Sequence, residues 1–188
     1  MLIDRSVIRV KAMLVAPDAG GATHAVTLNP PTAENPAGYH RLIGGSVELG
    51  ETHREAIIRE VDEELGATIC DLRLVTCVEN IFRIDGEVGH EIVFVYLGRL
   101  DPEPSRAGAM LTESDGSTVP VVWRRFDDAE ESIPLYPAGV VPWLRPGVLS
   151  RIASDRADQP LLGHGGHKGA VAGEDAAERE AAGPAGGG

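Results

Sequence analysis

The sequence predicts an α/β fold, and two observations support this class. Residues 7–15 and 90–100 are apolar runs with the alternation of β-strands. Between them, residues 52–66 carry apolar residues at helical spacing, with a capping signal at each end. Strands that flank a capped helix in one chain of 188 residues predict a single domain in which helices pack on a sheet.

Two strands joined by a turn begin the predicted domain. The segment 7–15 (VIRVKAMLV) is the first strand, and a turn at 18–21 leads to a second strand at 25–28. A proline-rich loop over 29–38 and a short strand at 39–43 follow. Ile8, Val10, Ala12 and Leu14 lie on one face of the first strand.

The helix has well-defined predicted ends. Thr52 followed three residues later by Glu55 is a capping box, so the helix should begin near His53. Gly66 tolerates a left-handed conformation and should end it. The predicted buried face comprises Ile57, Ile58, Val61 and Leu65.

Three carboxylates lie together on the other side of this helix. Glu60, Glu63 and Glu64 fall within an arc of roughly 100°. Because like charges repel, we expect a cation between them, and hard oxygen ligands suit Mg²⁺ or Mn²⁺. Ala56, one turn earlier on the same arc, would leave room for an ion and a diphosphate. The alternative is a solvated acidic face that binds no ion.

The remaining elements complete a mixed set of strands and helices. Residues 72–84 and 90–100 predict a hairpin with a turn at Asp85–Gly86. The later predicted elements are a loop at 102–110, a strand at 119–126, and a helix at 139–153 that Pro142 and Pro146 interrupt.

Composition changes at the end of the predicted domain, which we place at residues 1–153. Residues 154–188 are rich in Gly, Ala and charged residues, so this tail is expected to be disordered. His164 and His167 within it are interpreted as solvated side chains rather than metal ligands.

The charge balance indicates the class of partner. The chain has 29 acidic and 17 basic residues, a formal net charge of −12. A polyphosphate would be repelled by such a surface unless metal ions bridged the two anions. A nucleic-acid polymer, or the RNA cap of a cap hydrolase, would need a basic groove that the sequence does not reveal, although a local patch stays possible.

The expected location is the cytoplasm. No signal peptide is recognisable at the start, and apolar runs of five or six residues are too short to span a membrane. Cys70 and Cys77 are interpreted as buried free thiols rather than a disulfide.

Residues 45–67 (GSVELGETHREAIIREVDEELGA), here called the box segment, resemble the signature of the Nudix hydrolases. The pattern G-x5-E-x7-R-E-U-x-E-E-x-G-U is met at every position except the last, where Ala67 replaces a larger aliphatic residue. Residues 79–82 (ENIF), 89–96 (GHEIVFVY) and the strand around Trp123 also look like segments of a subgroup of this family.

The resemblance implies an α/β/α sandwich with a mixed sheet. It also implies hydrolysis of a pyrophosphate bond by water attack on phosphorus, with Mg²⁺ or Mn²⁺, in a nucleoside diphosphate-linked molecule or a nucleoside triphosphate. Dimers are common among such proteins, so a homodimer is possible. The alternative function is a catalytically silent module that binds or senses a nucleotide, although such proteins usually lack one or more box carboxylates.

The resemblance assigns roles within the box segment. Glu63 and Glu64, with the backbone carbonyl of Gly45, would ligate the divalent ion. Glu60 would be either a further ligand or the base that activates water, and the sequence leaves both roles open.

A cation and a carboxylate of the box segment are expected to pair. Arg59 would hold the carboxylates in position by a charge-assisted hydrogen bond, with Glu51 as its partner.

Five candidates lie outside the box segment, each with an ordinary alternative. Glu91 would reach the metal from across the site, or be an exposed carboxylate at a strand end. Glu113 would close over the substrate, or be an ordinary loop residue. Arg41 would contact phosphate, or pair with a surface acid. Tyr39 and Phe82 would stack on a base, or belong to the core.

Overall fold

The computed structural model describes residues 7–113, 115–127 and 133–154. All of them belong to one unit, Met1–Arg156. The tail that was predicted to be disordered, with His164 and His167, lies outside the described residues except for Ser154, the last residue of a helix. The boundary at residue 153 therefore stays a prediction.

The described residues form eight strands, two α-helices and one 3₁₀ helix. In chain order these are β1 (Arg9–Pro17), β2 (Thr23–Asn29), β3 (Tyr39–Arg41), α1 (His53–Leu65), β4 (Thr68–Ile84), β5 (Glu87–Asp101), β6 (Ala109–Thr112), β7 (Thr118–Arg125), β8 (Leu135–Tyr136), the 3₁₀ helix (Ala138–Trp143) and α2 (Pro146–Ser154).

The strands form a mixed sheet, as the sequence predicted. Their order is β4-β5-β1-β2-β3-β8, with β7 also paired to β2 and β6 to β7. β1 is parallel to β5, and β3 is parallel to β8. The other pairs are antiparallel. The long β4–β5 hairpin turns through Asp85 and Gly86, which have φ of 51° and 81°. Positive φ at both central residues is the requirement of a type I′ hairpin turn.

Helices cover both faces of the sheet, which confirms the α/β class. Alternate residues of a strand point to opposite faces, and β1 therefore contributes to two cores. One core joins Ala12 and Leu14 to Ile57 of α1. The other joins the second set of β1 side chains to the 3₁₀ helix and α2, and it includes Met13, Val15, Val140 and Leu149.

The first strand is buried only over its second half. Ile8 and Val10 are 57% and 40% exposed, although they lie on the same face as the buried Ala12 and Leu14. Both faces are buried over 12–16, and the earlier residues project beyond the core. Burial of a strand residue thus depends on whether a helix covers that part of the sheet, and the alternation of a strand sequence does not contain this information.

The ends of α1 were predicted correctly, and its buried face was predicted correctly for Ile57, Val61 and the partly buried Leu65 but not for Ile58. The capping box of Thr52 and Glu55 is formed, and Gly66 ends the helix in the left-handed backbone conformation. The buried residues of α1 form two rows along the helix, one at positions 56, 60 and 64 and the other at positions 57 and 61. Ile58 is 42% exposed. Ile58 belongs to the next row of the helix, one residue and about 100° further round. Ala56 is fully buried in the core, so it does not leave room for an ion.

The sequence missed two short strands and the division of the last helix. β6 begins inside the predicted loop, and β8 was not predicted. The predicted helix at 139–153 is the 3₁₀ helix followed by α2, which begins at Pro146. Proline fits the first turn of a helix because that position needs no N–H donor.

The two cysteines are free, as expected, but they are not both buried. Cys70 is half-buried and Cys77 is exposed. None of the helices in the described ranges is long and apolar enough to cross a membrane.

His24 in β2 is a buried polar residue without a hydrogen-bond partner. Its side chain is fully buried and stacks on Phe126 with 4.7 Å between ring centroids. Neither ring nitrogen has a hydrogen-bond partner among the described residues. Burial, and secondarily the charge of Arg124, lowers the pKa of His24 from 6.5 to about 3. The neutral ring is therefore the stable form in the folded protein.

Replacing His24 with leucine is expected to stabilise the protein, because an unpaired buried polar group is removed. The gain at pH 7 should be about 1–2 kcal/mol. Below pH 6.5 the unfolded chain gains a proton at His24 that the folded protein does not, so stability is lost as pH falls. Between pH 7 and pH 5 the wild type should lose about 2 kcal/mol more than the variant. Urea unfolding at both pH values measures this, and equal losses would contradict it.

Candidate active site

Backbone hydrogen bonds fix the start of the box segment along β1. The N–H of Ala12 donates to the carbonyl of Gly45 at 3.0 Å, and the N–H of Val47 donates to the carbonyl of Val10 at 2.9 Å. A side chain on Gly45 would collide with the carboxylate of Glu60. The missing side chain at Gly45 thus makes the space in which the Glu60 carboxylate lies against the backbone of the loop.

Arg59 organises the acidic side of the helix. Its guanidinium donates to both carboxylate oxygens of Glu51, at 2.7 and 3.2 Å. It also donates to Glu63 at 3.0 Å and to the carbonyl of Ser46 at 3.0 Å, and it lies 3.3 Å from Glu60. The expected pairing of Arg59 with Glu51 is therefore present, and the same guanidinium joins the helix to the loop.

Glu64 is the acidic residue whose environment is least favourable to a charge. It is 9% exposed, and its Oε2 atom has no hydrogen-bond partner among the described residues. Burial, followed by the charges of Glu113 and Glu60, raises the pKa of Glu64 to about 8. Burial also raises the pKa of Glu60, against the opposite effect of Arg59.

These carboxylates fit a divalent cation, although they do not form a closed ligand set. Glu60 and Glu64 are buried, whereas the side chain of Glu63 is 59% exposed and pairs with Arg59. In the described parts of the chain, no three His, Cys, Asp or Glu side chains are placed to hold a metal ion. An ion that keeps several waters and binds phosphate oxygens, such as Mg²⁺, does not need an all-protein cage. The unpartnered oxygen of Glu64 is the donor that such an ion would use.

A large cavity adjoins the box segment. Its volume is about 1140 Å³, and Ser46 and Lys11 form part of its wall. All five candidates outside the box segment line it, namely Tyr39, Arg41, Phe82, Glu91 and Glu113. The fold has thus brought together residues that are 74 positions apart in the sequence.

Glu91 is buried, so its interpretation as an exposed strand-end carboxylate was wrong. It is 4% exposed and lies within β5, beside Arg9 of β1 and Asn80 of β4. Its Oε1 accepts from Arg9 at 2.9 Å, and its Oε2 accepts from Asn80 at 3.1 Å. Both oxygens already have a partner, which leaves Glu91 fewer free lone pairs for a metal than Glu64 has.

Arg41 and Glu113 lie near enough to α1 to act electrostatically on Glu64. The Glu113 charge helps to raise the pKa of Glu64, whereas the Arg41 charge lowers it. Tyr39 and Phe82 are half-buried, so neither is a core residue. Tyr39 meets Tyr136 edge to face, with 5.6 Å between ring centroids. Both aromatic rings are therefore available on the wall of the cavity.

Sequence reasoning missed Arg9, Lys11 and Asn80. Lys11 donates to the hydroxyl of Ser46 at 2.8 Å, and burial, followed by the charge of Arg41, lowers the pKa of Lys11 to about 8. A signal for two of them was present. Arg9 and Lys11 alternate with apolar residues in a predicted strand, which puts two cations on one face of it.

Comparisons with known proteins agree with this geometry. The family model of the NUDIX domain matches residues 21–144, which is more than half of the chain. A MutT NUDIX hydrolase from Burkholderia pseudomallei is 25% identical, with a TM-score of 0.50 over 68% of this chain and 90% of that one. A NUDIX hydrolase from Nitrosomonas europaea, 18% identical, shares the fold with a TM-score of 0.52 over 78% and 91%. A search of curated proteins found no match. With the box segment inside the matched region, this chain belongs to the Nudix family of pyrophosphohydrolases.

Proposed function

We propose that this protein hydrolyses a pyrophosphate bond in a nucleoside diphosphate-linked molecule or a nucleoside triphosphate, with Mg²⁺ or Mn²⁺ as cofactor. The observation that carries the proposal is the buried side chain of Glu64, whose Oε2 atom has no hydrogen-bond partner among the described residues. Arg41 and Glu113, which act electrostatically on Glu64, line a cavity large enough for a nucleotide derivative. Burial makes the charged form of this carboxyl costly and raises its pKa, and a strongly perturbed carboxyl beside a cavity wall is typical of ligand-binding and catalytic sites.

The metal would be held by Glu64, Glu63 and Glu60, with the carbonyl of Gly45. A divalent ion at this position supplies neutralisation of phosphate charge and a lower pKa for a bound water. Glu91 is proposed as a further ligand on the opposite strands, through the lone pairs that Arg9 and Asn80 leave free.

Glu60 has a second proposed role. Instead of binding the metal, it would be the general base that activates water. Burial raises the pKa of its carboxyl above the usual value, and a more basic carboxylate is a better acceptor of a proton from water. Arg59 keeps Glu51, Glu63 and the Ser46 carbonyl in fixed positions around it. Arg59 and Glu51 are thus positioning residues for the carboxylates.

The cavity would hold the rest of the substrate. Tyr39 and Phe82 supply half-buried rings for stacking on a base, and Arg41 supplies a cation for phosphate. Glu113 is proposed to contact the substrate from the loop after β6. A volume of about 1140 Å³ lies slightly above the usual range of small-molecule pockets, which favours a substrate larger than a single nucleoside.

The proposal is tested by release of nucleoside monophosphate and phosphate from a panel of nucleotide derivatives, with and without Mg²⁺ or Mn²⁺. We expect metal-dependent release from one substrate class. Glu60→Gln should lower the rate about 100-fold or more. Glu103→Gln, which changes an exposed loop carboxylate, is the control and should keep the wild-type rate. No hydrolysis by the wild type, together with nucleotide binding in a thermal-shift assay, would instead support the silent binding module.

A further inference from the structure

Lys11 is a cation with an incomplete set of partners inside the site. Its ammonium donates to one neutral group, the hydroxyl of Ser46 at 2.8 Å. It makes no ion pair within 4.0 Å with any carboxylate of the described residues, although Glu91 and Glu60 lie near enough to act on it electrostatically. An ammonium has three protons to donate, so Lys11 keeps donor capacity towards the cavity that it lines.

Arg41 lies near Lys11 and is also without an ion pair. The two cations are close enough for the charge of Arg41 to lower the pKa of Lys11, second only to burial. Arg41 makes no side-chain hydrogen bond or salt bridge with another described residue, and it lines the same cavity. Two cations held near each other repel, just as the carboxylates of α1 do.

A third cation of this wall is already neutralised. Arg9 pairs with Glu91 at 2.9 Å, so it is not free for a ligand. A fourth cation of the wall, Arg83, donates to the carbonyl of Gly86 at 2.9 Å. Lys11 and Arg41 therefore face the cavity without an ion pair to another described residue, and an anion between them would relieve their repulsion. Glu60 and Glu91 act on Lys11 electrostatically, but neither is within ion-pair distance of it.

We propose that Lys11 and Arg41 form a two-cation site that binds the diphosphate group of the substrate through its non-bridging oxygens. This inference rests on the proposed function, because it concerns the substrate of the same site. Lys11 reaches the site from β1 and Arg41 from β3, while the hydrogen bond to Ser46 fixes Lys11 against the loop that precedes the helix. The acidic residues of α1 would thus bind the metal ion, while Lys11 and Arg41 would bind the anionic diphosphate of the same substrate.

The lowered pKa of Lys11 agrees with this role, since an anion beside the ammonium would favour its charged form. A lysine that only stabilised the fold would be expected to have a carboxylate partner or full exposure to water.

Calorimetric titration with methylenediphosphonate, a diphosphate analogue that cannot be hydrolysed, tests the inference in the presence of Mg²⁺. Lys11→Met keeps the apolar stem and removes the charge, and it should weaken binding about 10-fold or more. Arg41→Met should act in the same direction. Lys11→Arg should retain part of the affinity, because it keeps the positive charge that Lys11→Met removes. If Lys11 had only a structural role, the charge would not affect binding. Arg99→Met, which removes an exposed arginine paired with Asp71, is the control and should bind as the wild type does.

Wild-type affinity in folded Lys11→Met would overturn the inference, as would the absence of binding by the wild type at millimolar analogue. Thermal unfolding establishes that each variant is folded, and Lys11→Gln replaces Lys11→Met if the latter does not fold. The proposed function is judged separately by hydrolysis. Metal-dependent turnover with unchanged binding in Lys11→Met removes only the two-cation site, whereas Lys11-dependent binding without any turnover removes only the hydrolase.

Discussion

Replacing Glu64 with glutamine is expected to lower kcat at least about 100-fold and, at the same time, to stabilise the metal-free protein. The carboxylate is buried, its Oε2 atom has no hydrogen-bond partner in the described structure, and Glu60 and Glu113 add negative charge nearby. A neutral amide of the same size avoids this cost, but it is a poor ligand for a hard cation. Activity and stability should therefore change in opposite directions. Steady-state kinetics with Mg²⁺ and thermal unfolding in EDTA measure the two effects.

Glu63→Gln is the matched control for the stability effect. Glu63 is exposed and its carboxylate already pairs with Arg59 at 3.0 Å, so its replacement should not stabilise the protein. Full activity of Glu64→Gln, or a loss of its stability in EDTA, would contradict the assignment of Glu64 as a charged residue kept for a ligand.

The features predicted well from the sequence were local ones. The start of α1 depends on Thr52 and Glu55, three residues apart, and its end depends on Gly66. The turn at Asp85–Gly86 depends on two adjacent residues. Each of these structures is specified by hydrogen bonds or φ values within a few positions, so a sequence pattern contains the necessary information.

The features that the sequence did not predict depend on pairing between distant segments. Arg9, Asn80 and Glu91 meet only because β1 pairs in parallel with β5, and β5 pairs with β4 in one particular register. A shift of that register by one residue would point Glu91 to the other face of the sheet. The two alternatives for Glu91 could not be decided from the sequence for this reason.

Two adjacent glycines at the start of the box segment show the same difference between local pattern and distant packing. Gly45 is the first residue of the pattern and Gly44 precedes it, and their separate purposes became visible only with β1 and α1 beside them. Gly44 packs against the backbone of β1, whereas Gly45 packs against the carboxylate of Glu60. Two adjacent residues of the same type thus serve the fold and the site respectively.

Replacing each of these two glycines with alanine is expected to have different effects, on stability at Gly44 and on activity at Gly45. Gly44 has φ of +125°, and a side chain there would collide with the carbonyl oxygen of Ala12 and lie 2.7 Å from Cδ1 of Ile57. Moving the backbone of β1 or the buried side chain of Ile57 to relieve these contacts would cost considerable free energy. Gly44→Ala should therefore destabilise the protein by about 3 kcal/mol or more.

Gly45→Ala should instead fold and lose activity. The new methyl group meets the end of the Glu60 side chain, which can rotate away at little cost to stability. That rotation removes the Glu60 carboxylate from its place against the loop, so kcat should fall about 10-fold or more because the group is misplaced. Gly147→Ala, with open space around its new methyl group, controls for the substitution itself. Thermal unfolding and kcat for the three variants measure the contrast. A large loss of stability in Gly45→Ala would show that the Glu60 side chain cannot rotate away, and wild-type kcat in that variant would show that the Glu60 carboxylate does not need its place against the loop.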